Sequence, residues 1–508
     1  MTVRGRSSGK RGGSSRILIA VIFAVISLIT YFSSRQYNEV TDEVQYIDVT
    51  VAQEIALGLQ AAPQMAQQYG GESPDQQMRE MVDTIGERIV QASKLQETGY
   101  RFDFHLLADD KTVNAFALPG GQVFVTVGLL KLLQTEGELA GVVGHEIGHV
   151  AGKHAVQRIS KQAPLAVVFG LASGITGLVS STVGDLIGGI GNLAQSAIFS
   201  PYSRSQETEA DEVGQKIAAE AGWNPIELST FLANLEREVT LHEKKPRKPS
   251  FFDSHPVTAD RVADTARHAK LLTRAMRDPI SPTNETYLAR LNGIVVGPRA
   301  ANGVFHDREF LHPDLGIFVK FPEKWPHENA PEKIVAVAPK GDAAVVLEVA
   351  TKGDDPLDGA RMLGKAKHID LAAKTELLSI NGLPAARAVI PTNGRAHAEV
   401  TWIAHGGLIF QLVAVASSEQ FKTFQPEFEA VAQSFHPLSG HERARITETR
   451  IRLMTARKGE TIEALAARSH SAWKADEVAV INGLAAATLL REGQLLKVAV
   501  EERYETRE

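Results

Sequence analysis

Hydrophobic and polar positions divide the chain into stretches with different periods. Residues 17–32 are continuously uncharged, behind a lead that carries Arg4, Arg6, Lys10, Arg11 and Arg16. Sixteen helical residues reach about 24 Å at 1.5 Å each, slightly short of a ~30 Å hydrocarbon core, and Ser33 and Ser34 extend the run. Tyr31 and Phe32 stand where a signal-peptide cleavage site would need small residues. The reading is therefore an uncleaved N-terminal anchor, with the basic lead in the cytoplasm and Glu39, Asp42 and Glu43 outside. A cleaved signal sequence is the alternative.

From about residue 40 to 300, helical periods alternate with one clear strand. Leu118-Pro119-Gly120-Gly121 is a turn signal, and residues 122–127 alternate as a strand. Thr135-Glu136-Gly137-Glu138 then reads as a capping box, opening a helix through Leu139, Val143, Ile147 and Val150 toward Ser160. Ser203 to Gln206 caps a second helix, which Gly222 closes before Asn224-Pro225 starts another. Residues 305–437 have short β-rich runs, at 315–321, 343–350 and 408–416, broken by Gly and Pro. After a break at Pro437-Leu438-Ser439-Gly440, a unit of about 50 residues has the order strand, helix, helix, strand.

Composition narrows the possibilities. The 508 residues are 44% hydrophobic and 22% charged, which suits a chain of several packed domains. A net charge of −6, with no basic stripe on any folded stretch, argues against a nucleic-acid partner. Cysteine is absent, which removes thiol catalysis, Cys-ligated metal and a lipidated N-terminal cysteine.

The first helix carries Gly144-His145-Glu146-Ile147-Gly148-His149. His145 and His149 are four residues apart, so both imidazoles leave one helical face and can meet a single ion. Glu146 lies one step round, placed to take a proton from a zinc-activated water and pass it to a leaving amine. The second helix carries Glu207-Thr208-Glu209-Ala210-Asp211. Glu207 can complete a His₂Glu zinc site with an open fourth position, and Asp211, on the same face, can accept the outer N–H of His145. On a continuous helix His154 falls about 180° from His145, which makes it a structural or surface histidine, and Glu209 points away as a solvated charge.

GHEIGHVAGKH, then YSRSQETEADEVG and AGWNP, with NAFALPGG before and SHPVTADR after, resembles the HtpX/BepA-type gluzincin metallopeptidases over roughly residues 45–275. The resemblance implies His145, His149 and Glu207 as ligands of one zinc ion per chain, and Glu146 as catalytic base. It also implies that an edge strand near the site, here Val123, Phe124 and Val125 onward, receives substrate backbone. An exposed strand edge pairs with any extended peptide, which favours unfolded segments. In periplasmic relatives the histidine at the position of His255 can close over the metal as a switch. His255 therefore has three readings: a switch, an oxyanion donor, or a residue that steadies the turn before a helix. Arg261 is a weaker candidate for oxyanion stabilisation.

Residues 165–183 are uncharged but rich in Gly, Ser and Thr. A Gly-rich lid or surface-seeking helix beside the site is favoured there over a membrane span. The terminal unit is similar to LysM modules, with Gly459-Glu460-Thr461 where Gly-Asp-Thr is usual, which implies affinity for peptidoglycan. A packing domain without glycan binding is the alternative.

The expected protein is multidomain. Residues 1–36 form a tail and anchor, and residues 40–300 a mainly α-helical α+β zincin-like metallopeptidase domain. Residues 305–437 form an α+β accessory domain, and 447–501 a small βααβ LysM-like domain. The expected activity is zinc-dependent cleavage of unfolded or misassembled envelope proteins on the outer side of the cytoplasmic membrane. The rival is a latent peptidase that acts as a chaperone-like scaffold tethered to the cell wall.

Overall fold

The computed structural model describes residues 35–38, 40–41, 43–46, 49–162, 200–242, 250–274, 284–330, 332–392 and 396–505. The apolar runs at 17–32 and 165–183 lie outside the described residues. Among those described, no helix is long and apolar enough to cross a membrane. The chain divides into two compact units. The first holds the described residues up to Asn292 together with Leu453–Ser469 and Trp473–Val498; the second holds Gly293–Arg452, His470–Ala472 and the described residues from Ala499.

The first unit opens with an antiparallel hairpin, β1 (Arg35–Asn38) and β2 (Glu43–Tyr46). Helix α1 (Val51–Gln68) starts from a Thr50–Gln53 capping box. Helix α2 (Gln76–Gln91) is capped by Asp75 and buries Met78, Met81, Val82, Ile85 and Ile89 on one face. A small sheet follows, made of β3 (Asp103–Leu107), β4 (Ala115–Ala117) and β5 (Gln122–Thr126) in the order β3-β5-β4. Here the sequence expectation is corrected. The strand through Val123, Phe124 and Val125 is the central one, parallel to β3 on one side and antiparallel to β4 on the other, and every residue of it is buried. The Leu118–Gly121 turn folds β4 back onto β5, with Gly120 at φ +81°. A side chain there would also strike the backbone of Ile55 in α1. With β3 on its other flank, β5 keeps no free edge; the outer strands are β3 and β4.

Helix α3 (Val127–Leu132) leads to α4 (Glu136–Ala151), in which every residue from Gly137 onward is buried. Thr135 caps α4 as expected, but Glu138 reaches the amide of Gln134 rather than that of Thr135. The helix does not run on to Ser160. It stops at Gly152, Lys153 takes a left-handed conformation (φ +54°), and α5 (His154–Gln162) starts anew. Lys153 is held in that turn by an ion pair of 2.7 Å with the buried Glu54 of α1.

Helix α6 (Arg204–Glu220) has its Ser203–Gln206 capping box complete. It lies against α4 at backbone contact: a Cβ on Gly144 would sit 2.8 Å from the Gly214 carbonyl oxygen, and one on Gly148 2.7 Å from that of Ala210. Three small positions on facing ridges, Gly144, Gly148 and Gly214, thus set how closely the two helices can bring side chains together. Helices α7 (Ile226–His242), α8 (Phe251–Ser254), α9 (Ala259–Thr273) and α10 (Asn284–Leu291) complete this part of the unit.

In the second unit, β6 (Val295–Val296) precedes β7 (Val304–His306), β8 (Glu309–His312) and β9 (Ile317–Lys320). A seven-stranded antiparallel sheet is built from β10 (His327–Asn329), β11 (Lys333–Val337), β12 (Ala343–Lys352), β13 (Glu376–Ile380), β14 (Leu383–Thr392), β15 (Ala396–His405) and β16 (Leu408–Ser417). Its order is β10-β11-β12-β16-β15-β14-β13. Alternate residues face opposite sides: Trp402 joins Ala360 and Leu371 under α11 (Pro356–Lys367), while Ile403 joins Phe421 and Phe428 of α12 (Phe421–Ser434). The second unit also holds β17 (His436–Pro437); β18 (Thr447–Thr455) and β19 (Leu495–Arg503) are divided between the two units, and α13 (Ile462–Arg468) and α14 (Ala475–Ile481) belong to the first.

Candidate metal centre

Helix α4 supplies His145 and His149, α6 supplies Glu207, and the residue that ends α8 supplies His255. All four are buried, and together they form a group able to hold a metal ion. His145 Nε2 lies 3.0 Å from His149 Nε2, and His255 Nδ1 is 3.1 and 3.2 Å from those two atoms. Glu207 Oε1 is 3.0 Å from His255 Nδ1 and 3.4 Å from His149 Nε2, and its Oε2 is 3.8 Å from His145 Nε2. Ligands about 2.05 Å from a tetrahedral centre stand about 3.3 Å apart. The observed separations straddle that edge length, so three imidazole nitrogens and one carboxylate fit a four-coordinate divalent ion.

Each ligand has a partner that orients it. His145 Nδ1 is 2.8 Å from Asp211 Oδ1. Asp211 in turn takes two bonds from Arg261, Nε at 2.7 Å and Nη2 at 2.8 Å, while Arg261 Nη1 meets Glu207 Oε2 at 2.5 Å. The guanidinium is thus committed to two carboxylates and the Pro256 carbonyl, rather than presented to a substrate as the oxyanion reading would require. Burial alone would raise both carboxyls. Neighbouring charge and hydrogen bonds outweigh it: Arg261 and His145 hold Asp211 low, and His255, the hydrogen bond to His149 and Arg261 hold Glu207 well below the usual carboxylate range. Burial pushes His149 well below the usual histidine value, so it sits there as the neutral base that a ligand must be.

Glu146 points into the same pocket, with Oε1 3.5 Å from His255 Nε2. Burial raises its carboxyl, which brings it nearer the range of an efficient proton carrier.

The break in the helix after α4 changes the role of His154. The turn at Gly152 and Lys153 brings its Nδ1 within 2.8 Å of His149 Nδ1, and its Nε2 is 3.1 Å from Glu209 Oε2. With Nε2 of His149 reserved as a ligand atom, its Nδ1–H donates to His154. The proton of His154 then sits on Nε2, donated to Glu209. His154 is fully buried and is neither a surface residue nor remote from the site, and Glu209 is not a purely solvated charge. Gly152, a common helix terminator, was the signal in the sequence that could have revealed this. The sequence reading also missed Tyr202, whose ring stacks on His149 at 3.8 Å and is covered on its far side by the guanidinium of Arg158.

Of the residues expected in the site, His145, Glu146, His149, Glu207 and Asp211 converge, and His255 stands among the ligand atoms. Val123, Phe124 and Val125 lie in the covered central strand instead.

A helix pair offering two histidines and a glutamate to one point, beside a second buried glutamate, can hold a metal ion with a carboxylate at its side. Among known proteins, residues 76–269 match the model of Peptidase family M48. The chain is 26% identical over 250 residues to the Beta-barrel assembly-enhancing protease of Escherichia coli strain K12, covering 48% of each chain. It is 34% identical over 155 residues to the Metalloprotease LoiP of the same strain, covering 30% of this chain and 57% of that one. It is 27% identical over 238 residues to the Mitochondrial metalloendopeptidase OMA1 of Schizosaccharomyces pombe, covering 46% of this chain and 66% of that one. The matched stretch thus spans about half to two thirds of the length of these relatives.

Proposed function

We propose that this chain is a zinc-dependent endopeptidase that cleaves unfolded or misassembled proteins of the cell envelope. The observation that carries the proposal is a convergence of three groups, with the buried Glu146 alongside: His145 Nε2 lies 3.0 Å from His149 Nε2 and 3.8 Å from Glu207 Oε2, and Glu207 Oε1 lies 3.4 Å from His149 Nε2. The N₂O donor set of His145, His149 and Glu207 suits zinc, which when bound would supply a Lewis acid and lower the pKa of water to about 7. Glu146 accepts the proton released and delivers it to the departing amine. Asp211 and the His154–Glu209 pair keep the two ligand histidines in the tautomers that present Nε2 inward. The name of the Escherichia coli relative supports the envelope as the place of action and its proteins as substrates.

Substrate backbone is assigned to an outer strand of the small sheet. β4 is the favoured one, because it is the strand that packs beside α4. The N-terminal anchor would hold the enzyme at the membrane, and the terminal unit would add contact with peptidoglycan. A second reading is favoured by one contact: His255 Nδ1 takes the fourth corner of the ligand group, an arrangement suited to a latent enzyme that binds before it cuts.

The test is cleavage of casein by the full-length chain supplied with zinc, beside its Glu146→Gln variant and a chelator-treated blank. Cleavage lost in both controls, with zinc binding retained by Glu146→Gln, is the expected result. Cleavage that persists in Glu146→Gln removes the assigned base and with it the mechanism.

A further inference from the structure

The helix that carries His145 and His149 is gripped at both ends by distant parts of the chain. At its C-terminal end, Asn38 donates to the Ala151 carbonyl at 2.6 Å and Gln45 to that of Gly152 at 3.1 Å. At its N-terminal end the grip comes from the terminal segment. Lys497 is fully buried, and its Nζ donates to the carbonyls of Lys131 at 2.8 Å and Leu133 at 2.6 Å. These carbonyls end α3, where the last turn has no intrahelical donors and the helix dipole favours a cation. Gln134 donates to the Ile481 carbonyl at 2.8 Å, and Arg237 to that of Gly483 at 3.1 Å. Lys497 is itself held by Asn482, which accepts from its amide at 2.8 Å and donates to its carbonyl at 2.9 Å.

We propose that Lys497 is a positioning residue for the metal centre: by drawing in the carbonyls that precede α4, it sets where His145 and His149 stand opposite Glu207. The proposal rests on the zinc-peptidase reading. Only Gln134 and the cap Thr135 separate Leu133 from the first residue of α4, and the Gln134 amide is tied to Glu138 inside the helix at 2.6 Å. A helix buried from Gly137 to Ala151 moves as a body, so a shift at Thr135 is passed on to His145, and a metal site tolerates displacements of only about 0.5 Å. Burial brings the Lys497 ammonium down to about 7. The neutral amine still carries two N–H groups, enough for both carbonyls. The terminal segment is thus a structural part of the peptidase unit, not a module that merely follows it.

The experiment compares zinc affinity of the full-length chain with that of Lys497→Met, by competition with a chromophoric chelator, alongside amide exchange across residues 135–150. The expected result is an affinity loss of about tenfold, the low end of losses seen when an orienting partner of a ligand is removed, with faster exchange in the first turns of α4. Lys458→Ala, an exposed lysine in the same segment, should match wild type. A double variant, Gln134→Ala with Arg237→Ala, leaves the buried lysine in place; it should show a smaller loss in the same direction and serves if Lys497→Met does not fold. Unchanged affinity and exchange in the folded variants would overturn the proposal, even where melting temperature falls, because Lys497 would then only stabilise. Wild type that binds no zinc would instead sink the peptidase reading, and this inference with it.

Discussion

Replacing His255 by alanine should speed peptide hydrolysis. His255 Nδ1 stands 3.0–3.2 Å from one atom each of His145, His149 and Glu207, so four side chains fill the four corners of a tetrahedral site. Substrate can enter only when His255 leaves. Leaving forfeits a contact to a charged centre, worth about 1.5–3 kcal/mol, and the stacking on Phe251 at 4.3 Å, worth roughly 0.5–1.5 kcal/mol. A bias near 3 kcal/mol corresponds to an open fraction on the order of one in a hundred, so removing the imidazole should raise kcat/KM by up to about a hundredfold. Loss of a ligand also weakens zinc binding, so the assay needs buffered zinc in excess, with bound metal measured in the same sample. Fluorogenic casein is a suitable substrate because it is unfolded and makes no demand on sequence. A rate equal to or below wild type, in folded and zinc-loaded His255→Ala, would refute the argument and return His255 to an oxyanion or purely structural role.

Two further outcomes follow from the geometry. His154→Phe should lower zinc affinity about 10- to 100-fold while leaving the fold intact, and Glu209→Gln should do so less; chelator competition reads both. The third concerns pH. Burial lifts the Glu138 carboxyl to about 7, above its unfolded value, so its contribution to stability is complete below the ordinary carboxylate range and is lost as pH rises through about 7. Lys497 runs the other way: depressed to about 7, its contribution is complete only above the ordinary lysine range and is lost as pH falls through about 7. Glu138→Gln, which keeps an acceptor for the Gln134 amide, should therefore gain stability over wild type as pH climbs from 5 toward about 8, by on the order of 3 kcal/mol at most. Thermal melts in which the two proteins keep a constant difference across that range would contradict it.

Much of the centre was legible in the chain because its geometry is local. Four-residue spacing on a helix places His145 beside His149, and the same spacing places Glu207 beside Asp211, whatever the helices pack against. Capping residues marked the starts of both helices for the same reason, since Thr135 and Ser203 each satisfy an amide three residues on. What lay beyond one or two turns was not legible. His154 was placed on the far side of the helix by arithmetic that assumed continuity, whereas Lys153 turns left-handed to reach Glu54, a residue about a hundred positions earlier. The strand of Val123 to Val125 has the alternation of a sheet strand, but alternation says nothing about how many neighbours it has. Only the placement of β3 and β4 put it in the middle. His255 and Lys497 are the extreme cases, one closing the ligand group from more than a hundred residues away and the other bracing the metal-binding helix from more than three hundred and fifty. Spacing within a helix is dictated by bond geometry and so is written in the sequence. Which distant groups meet is decided by packing of the whole chain, where many weak contacts are satisfied at once and no single residue records the outcome.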